Sequence, residues 1–566
     1  MRLIKSLCSL LASRLVAGLD SSDIGLTFDS ENGQDLPVLK LPYGRWRAYS
    51  YNAEAEVYTF RNIRYAAPPV GDLRWAKPAP PERVHEVQDG SYGHNCIPGP
   101  IPPEFDNPIF ENITKNASED CLFLDIYVPR KALKAHAHKP SVPVTVWIHG
   151  GGYVTGSKDQ GITIGYFDGT SLINRADNNL IVVSINYRLG AFGFLAGDAL
   201  RSKPSHGGSC PSKTSAVFNA GLHDQRAALQ WVQSYIHLLG GDKENVSAWG
   251  QSAGAGSIMH HLIAKGGKQD PLFRTAVLQS PGFGTSADET AVEAQFAAFA
   301  GAVGCPAKGR EALRCLRGVD AKKLWSANVN VFAGSANPVP DGVFIKDVAL
   351  YEYSKGNTWP HLKSLLVSHV LDEGALFVPS EIPQDYIRTY ISGLLPPNST
   401  AATEKMVSLY SSIYANSTEK QLASAVMRDM IFTCNIYAAV QAYGTRNRPA
   451  WGFQYSYFDG MMNGTHGSDA LPTWYNSALQ GFEEPLFAQY QRYLTNFAKT
   501  GDPNRPRGGK DKLVDWPRVD ARGNVLGNVL DLTNVGYRVI QDEQVRRDVC
   551  GTWMEVLGEA IEQGKR

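Results

Sequence analysis

Residues 248–257 read AWGQSAGAGS, and Gly250-Gln251-Ser252-Ala253-Gly254 within them is a G-x-S-x-G pentapeptide that occurs once in the chain. A strand-like run, NVSAWG from Asn245, precedes it, and a helical run, SIMHHLIA from Ser257, follows. That context is a nucleophile elbow, a sharp strand-to-helix turn that lifts one hydroxyl above the edge of a sheet. Small neighbours are needed because larger side chains would collide with the adjoining strand and helix. The helix N-terminus then faces the oxyanion that develops when Ser252 attacks a carbonyl. A second glycine cluster, Gly150-Gly151-Gly152 in WIHGGGYVTGS, follows another strand-like run and offers unobstructed backbone N–H groups for the same oxyanion.

A serine hydroxyl is a weak nucleophile without a base. In this chain order the acid and then the histidine should follow the serine. Five of the 13 histidines do so. His260 and His261 lie on the elbow helix, roughly 12 Å down its axis at 1.5 Å per residue, too far to reach the hydroxyl. His361 and His369 would need an acid upstream, such as Asp341 or Asp347. His466, in NGTHGSDALP between Gly464 and Gly467, sits in a loop of the kind that carries a base, and it is the preferred candidate. The acid should end a strand. SLLVSHVLDEG ends with Asp372 and Glu373, which point to opposite sides of an extended chain, and the pattern alone does not choose between them.

These residues need a scaffold. Runs rich in Val and Ile begin at Pro143, Leu180, Asn245, Thr275 and Ser364, bounded by Gly, Asn or Ser, as expected of strands covered on both faces. Between them lie helical patterns; DQRAALQWVQSYIHLLGG from Asp224 puts Ala228, Trp231, Val232 and Ile236 on one face and stops at Gly240-Gly241. The alternation predicts an α/β fold with a large, mostly parallel central sheet flanked by helices. Residues 285–470 read as mostly helical insertions on that one fold.

The 566 residues contain 55 Lys+Arg and 55 Asp+Glu, so the formal net charge is zero and no basic surface for nucleic acid is expected. No run of about 18 apolar residues suits a transmembrane span. No His/Cys/Asp/Glu spacing suits a metal, and neither metal nor cofactor is expected. Arg2 and Lys5 precede an apolar stretch ending near Ala17-Gly18, so residues 1–18 read as a secretory signal peptide and 19–566 as a single domain. Six N-x-S/T triplets fit a secreted chain; Asn112, Asn116, Asn398 and Asn416 are the preferred glycosylation sites, whereas Asn245 precedes a strand and Asn463 is not among the preferred four. Setting aside Cys8, seven cysteines permit three bridges and one spare.

As a set, FRNIRYAAPPVGDLRW, SEDCLFLDIYVP, WIHGGGYVTGS, SINYRLGAFGFL, GLHDQRAALQWV, GGDKENVSAWGQSAGA, LDEG and THGSD resemble the blocks of the type-B carboxylesterase/lipase family, in its order, over most of residues 40–550. That family, α/β-hydrolases that include the cholinesterases and fungal lipases, uses the second acid of DEG. The resemblance therefore implies a Ser252–His466–Glu373 triad, with oxyanion donors at the N–H groups of Gly151, Gly152 and Ala253. It implies disulfides Cys96–Cys121, Cys305–Cys315 and Cys434–Cys550, leaving Cys210 in a Gly/Ser-rich insertion, residues 205–217, whose role the sequence does not disclose. Tyr153 and Gln251 are expected to border the substrate. Two departures argue against a choline ester. Gln251 stands where cholinesterases carry an acid, and the first disulfide loop, residues 97–120, has no Trp for stacking a cation. That loop instead offers Ile101, Phe105, Ile109 and Phe110. The implied activity is hydrolysis of a small-molecule or lipid ester by a secreted serine hydrolase. A lipase is the near alternative, and a non-catalytic binding protein on the same fold the distant one.

Overall fold

The computed structural model describes residues 24–29, 36–99, 114–135, 140–159, 167–201, 214–284, 289–332, 336–396, 398–458, 460, 463–476, 484–505 and 513–564. The expected leader, Asn112, the four apolar residues of the first disulfide loop and Cys210 lie outside them.

Eleven strands form the main sheet. In chain order they are β1 Ser50–Asn52, β2 Val57–Arg64, β3 Phe123–Pro129, β4 Val142–Ile148, β5 Ile181–Ile185, β6 Gly241–Gln251, β7 Thr275–Gln279, β8 Ser364–Val370, β9 Ala450–Tyr455, β10 Val525–Thr533 and β11 Gly536–Arg546. Across the sheet they run β11-β10-β9-β8-β7-β6-β4-β5-β3-β2-β1. Neighbours from β5 to β10 pair parallel, and the outer pairs are antiparallel. The mostly parallel α/β-hydrolase sheet expected from the sequence is present. A four-stranded sheet formed by Gly25–Asp29, Leu36–Leu41, Gly44–Arg47 and Val87–Gln88 stands apart from it.

The five runs singled out in the sequence are β4 to β8. β4, β5, β7 and β8 are buried at every position, which is why they read as continuous apolar runs rather than alternating ones. Their two faces feed two cores. Val144, Val146, Ile148 and Ala248 belong to one, and Trp147, Trp249, Val277 and Leu366 to the other.

The reading of 285–470 as mostly helical insertions holds for most of its length but not for all of it. This stretch supplies β8, already singled out, and also β9, with sequence AWGFQY, which pairs with β8 from Leu365↔Ala450 to Val370↔Tyr455. One short strand holding a glycine and three bulky aromatics carries little periodicity. Partners on both sides, rather than local propensity, make it a strand.

The helices that matter for the site are α1 Ala220–Tyr235, α2 Ala253–Gly267, α3 Glu419–Arg428, α4 Cys434–Gly444, α5 Glu484–Thr500 and α6 Arg547–Gly564. The three implied disulfides are all present, and Cys434–Cys550 ties α4 to α6.

Candidate active site

Parallel strands deliver their C-terminal ends to one edge of the sheet, where open α/β folds carry their sites. Four of those ends converge here. Ile148 at the end of β4 pairs with Gly250 on β6, Gln251 with Gln279 on β7, and Gln279 with Ser368 on β8. Past the strand ends, Leu371 N–H donates to Tyr455 O and Asp372 N–H donates to Gly464 O, both at 2.9 Å. A parallel bridge between Asp372 and Thr465 continues this pairing. The loop after β9 is thus pinned, residue by residue, alongside the turn after β8, and Glu373 meets His466.

The three preferred residues form one line. Ser252 Oγ lies 2.9 Å from His466 Nε2, and His466 Nδ1 lies 2.5 Å from Glu373 Oε2. Ser252 links β6 to α2 with φ 55° and ψ −125°, a conformation that costs on the order of 1–3 kcal/mol for a residue with a Cβ. The surroundings hold it there. Ser252 N–H donates to Gln279 O, and Ser252 O accepts from Gly256 N–H and Gly282 N–H. A Cβ on Gly254 would overlap the Ile148 carbonyl oxygen, which explains the glycine two residues after Ser252.

The glycine loop abuts the nucleophile. A Cβ on Gly150 would stand 3.0 Å from Ser252 Cβ and 2.7 Å from the Gln251 side-chain oxygen. Gly151 has φ 110°, and a Cβ there would overlap the Thr155 carbonyl, so only glycine fits. Ala253 is the first residue of α2, whose opening N–H groups have no acceptor within the helix.

Glu373 is fully buried. Burial alone would raise its carboxyl; the His466 ring beside it, hydrogen bonds from His466 and Ser280, and the Val370 N–H at 2.9 Å outweigh burial and hold it below the usual carboxylate range. Asp372 faces the other way, exposed, and accepts from Ala375 N–H and Ser424 Oγ. Of the two adjacent acids, Glu373 is the one whose carboxylate meets the His466 ring.

Three of the other candidate histidines are occupied elsewhere, and His361 is exposed against Trp359. His260 and His261 are buried along α2, where burial pushes His260 down to about 4 and His261 well below its ordinary value. His369 pairs with Asp542 at 2.8 Å. Gln251 Nε2 lies 3.5 Å from His466 Nε2, so this side chain does border the site. Tyr153 is only 1 % exposed, with its ring against Phe194 at 5.0 Å and its hydroxyl close to Gly256 on α2.

Two features escaped the sequence reading. Asp469, three residues after His466, is fully buried among Ser280 and Ser368 hydroxyls, and burial followed by the Glu373 charge pushes its carboxyl up to about 7. The THGSD block held it in plain view, without a sign of which way it points. Phe432 and Phe377 pack on the His466 ring with centroids 4.3 and 5.3 Å away. No local pattern marks these contacts.

Of the preferred glycosylation sites, Asn116, Asn398 and Asn416 are exposed, while Asn245 is half-buried with its amide donating to Lys499 O. Among the described residues no helix is long and apolar enough to cross a membrane.

Comparison with known proteins agrees with this architecture. The sequence profile of the Carboxylesterase family matches residues 35–543. The chain is 40% identical over 534 residues to a secreted lipase of Arthroderma benhamiae, covering 94% of both chains. It is 30% identical to the carboxylesterase patB of Aspergillus clavatus, covering 92% of this chain and 96% of that one. The crystal structure of Aspergillus niger EstA superposes with a TM-score of 0.73 at 26% identity, covering 92% of this chain and 99% of EstA. A profile match over most of the length, with a relative at 40% identity along nearly the whole chain, makes this protein a member of the carboxylesterase family, the carboxylic ester hydrolases of the α/β-hydrolase fold.

Proposed function

We propose that the chain is a secreted serine carboxylic ester hydrolase working through an acyl-enzyme on Ser252. The observation that carries this reading is the line Ser252 Oγ–His466–Glu373, at 2.9 and 2.5 Å. His466 Nε2 takes the hydroxyl proton as Ser252 attacks the ester carbonyl. Glu373 holds Nδ1–H, fixes the tautomer and stabilises the imidazolium that forms. The N–H groups of Gly151, Gly152 and Ala253 bind the oxyanion. His466 then gives its proton to the leaving alkoxide. In the second half it takes a proton from water, which attacks the acyl carbonyl, and returns a proton to Ser252 as the acid leaves.

Hydrolysis of p-nitrophenyl esters from acetate to palmitate, by wild type and Ser252→Ala, tests this. Activity abolished in the variant supports the assignment; activity retained removes Ser252 from the mechanism. The similarity to the Arthroderma benhamiae lipase favours a second reading, action on long-chain acylglycerols or sterol esters at a lipid surface. A rate jump above the solubility limit of the ester would select it over a soluble-ester esterase. That same relative supports secretion, residues 1–18 serving as the leader of a single domain spanning 19–566, with sugars on Asn112, Asn116, Asn398 and Asn416; peptide-N-glycosidase treatment of culture-medium protein would test both secretion and glycosylation.

A further inference from the structure

Between α3 and α4 the chain makes a five-residue π-helical segment, Asp429–Thr433. An extra residue per turn costs regular hydrogen bonding and re-aims the side chains, and such segments gather at functional sites. This one carries Phe432, 1 % exposed, whose ring lies over the His466 imidazole at 4.3 Å with a 32° tilt.

The segment is anchored from several sides. Asp429, itself buried, accepts from Thr433 Oγ1 at 2.9 Å, from Arg428 Nε at 2.7 Å and from Tyr410 OH at 3.1 Å. Asn435 Nδ2 donates both to Ile431 O at 2.7 Å and to Pro281 O at 2.9 Å. Phe283 N–H donates to Ile431 O, while the preceding Gly282 N–H donates to the carbonyl of Ser252. The Phe432 ring is therefore indexed to the nucleophile through two short backbone links. Gly282 leaves the ring its place: a Cβ there would stand 2.9 Å from Phe432 Cε1 and 3.3 Å from Ser252 Oγ.

We propose that Phe432, set by the π-helical segment, is a positioning residue for His466 that matters most during deacylation. The inference rests on the Ser252–His466–Glu373 reading. In the free enzyme the imidazole is held at one end by Glu373 and at the other by the Ser252 hydroxyl. Once Ser252 is acylated, its Oγ carries no proton, and the hydrogen bond that fixed the Nε2 end is lost. The ring must still point Nε2 at the incoming water. What remains is Glu373 on Nδ1 and the aromatic face, with Phe377, 37 % exposed, as the looser contact. An aromatic pair supplies enough orientation to change a rate by about tenfold.

Phe432→Leu should therefore slow deacylation by about three- to tenfold while acylation is nearly kept. With a p-nitrophenyl ester, kcat and KM fall together, kcat/KM stays within about twofold, and a pre-steady-state burst appears or grows to one equivalent. Phe432→Met, which keeps the volume without a ring, should behave alike if the Leu variant folds poorly, and Phe432→Tyr should restore the wild-type rates. Thermal unfolding checks that each variant is folded. A fall in kcat with KM unchanged and the burst reduced in proportion would mean lost active enzyme and would overturn the proposal. So would unaltered kinetics in folded Leu and Met variants. Should Ser252→Ala retain activity, the catalytic reading itself fails, a result distinct from either of these.

Discussion

Glu373→Gln isolates what the acid does, because the substitution keeps shape and burial while changing which atoms donate. Glu373 uses both oxygens: Oε1 accepts the Val370 N–H at 2.9 Å, and Oε2 accepts from His466 Nδ1 at 2.5 Å. A glutamine has one oxygen and one NH2. The Val370 N–H cannot face an NH2, so the oxygen goes to Val370 and the NH2 faces Nδ1. Nδ1 must then be an acceptor, which moves the ring proton to Nε2. The nitrogen that should take the Ser252 proton already holds one. A wrong tautomer in an intact triad costs about 10⁴ in kcat, equivalent to about 5.4 kcal/mol of barrier at 1.36 kcal/mol per decade. The assay is kcat for p-nitrophenyl butyrate at pH 8, with the melting temperature as a folding control. Asp372→Asn, on the exposed side of the turn, should lie within about fivefold of wild type, since a surface carboxylate contributes at most about 1 kcal/mol. A folded Glu373→Gln within tenfold of wild type would refute the reasoning and shift the role to another acid, Asp469 being the nearest candidate.

Three other outcomes are expected. Asp469 carries its proton up to about pH 7 in the folded chain but loses it near 3.8 when unfolded, so stability falls as pH rises from about 4 to about 7 and is flat above. Asp469→Asn removes this dependence, and its advantage over wild type should grow by on the order of 2–3 kcal/mol between pH 5 and 7; parallel melting curves at the two pH values would contradict it. In the buried His369–Asp542 pair, burial works against the imidazolium, but the Asp542 charge and hydrogen bond prevail and raise His369 to about 9. The pair's stabilisation is complete below the unfolded histidine value of 6.5 and is lost as pH climbs toward 9, and Asp542→Ala should cost about 3–5 kcal/mol at pH 6 by urea titration; a loss under 1 kcal/mol would show the pair contributes nothing. Replacing Cys434 and Cys550 by Ser opens a cross-link over 116 residues, and chain entropy puts the loss at about 5 kcal/mol, read as a lower urea midpoint.

Much of the site was legible because local chemistry and local structure coincide at it. The elbow needs small residues at fixed offsets around Ser252, so the requirement is written in consecutive letters. The glycine loop is similar, and His466 followed from setting aside two histidines too far along the elbow helix and two that would need an acid upstream. What stayed hidden is whatever pairing decides. Asp372 and Glu373 are adjacent letters with opposite fates, and the bridge from Asp372 to Thr465 separates them. β9 hides inside a stretch with helical neighbours because its strand character comes from β8 and β10. Phe432 is one apolar residue among several by sequence, and it meets the imidazole from a π-helical turn that no local pattern marks.

The acids around His466 show how one histidine distinguishes among several carboxyl groups. Three lie in or near the turn after β8 and the loop after β9: Asp372, Glu373 and Asp469. Asp372 is exposed and engaged with Ser424 and its own turn, so it lends the ring no directed charge. Glu373 and Asp469 are both fully buried, and burial raises both. Their environments then part. Glu373 receives the Val370 N–H and the Nδ1 proton, interactions that favour its charged form. Asp469 finds only two long hydrogen bonds from serine hydroxyls, at 3.3 and 3.5 Å, which favour its charged form too weakly to offset burial and the repulsion of Glu373. Two carboxylates in one dry site cannot both ionise cheaply. Below about pH 7 Asp469 is therefore neutral, which leaves Glu373 as the charged acid beside His466 Nδ1, on the side of the ring away from Ser252.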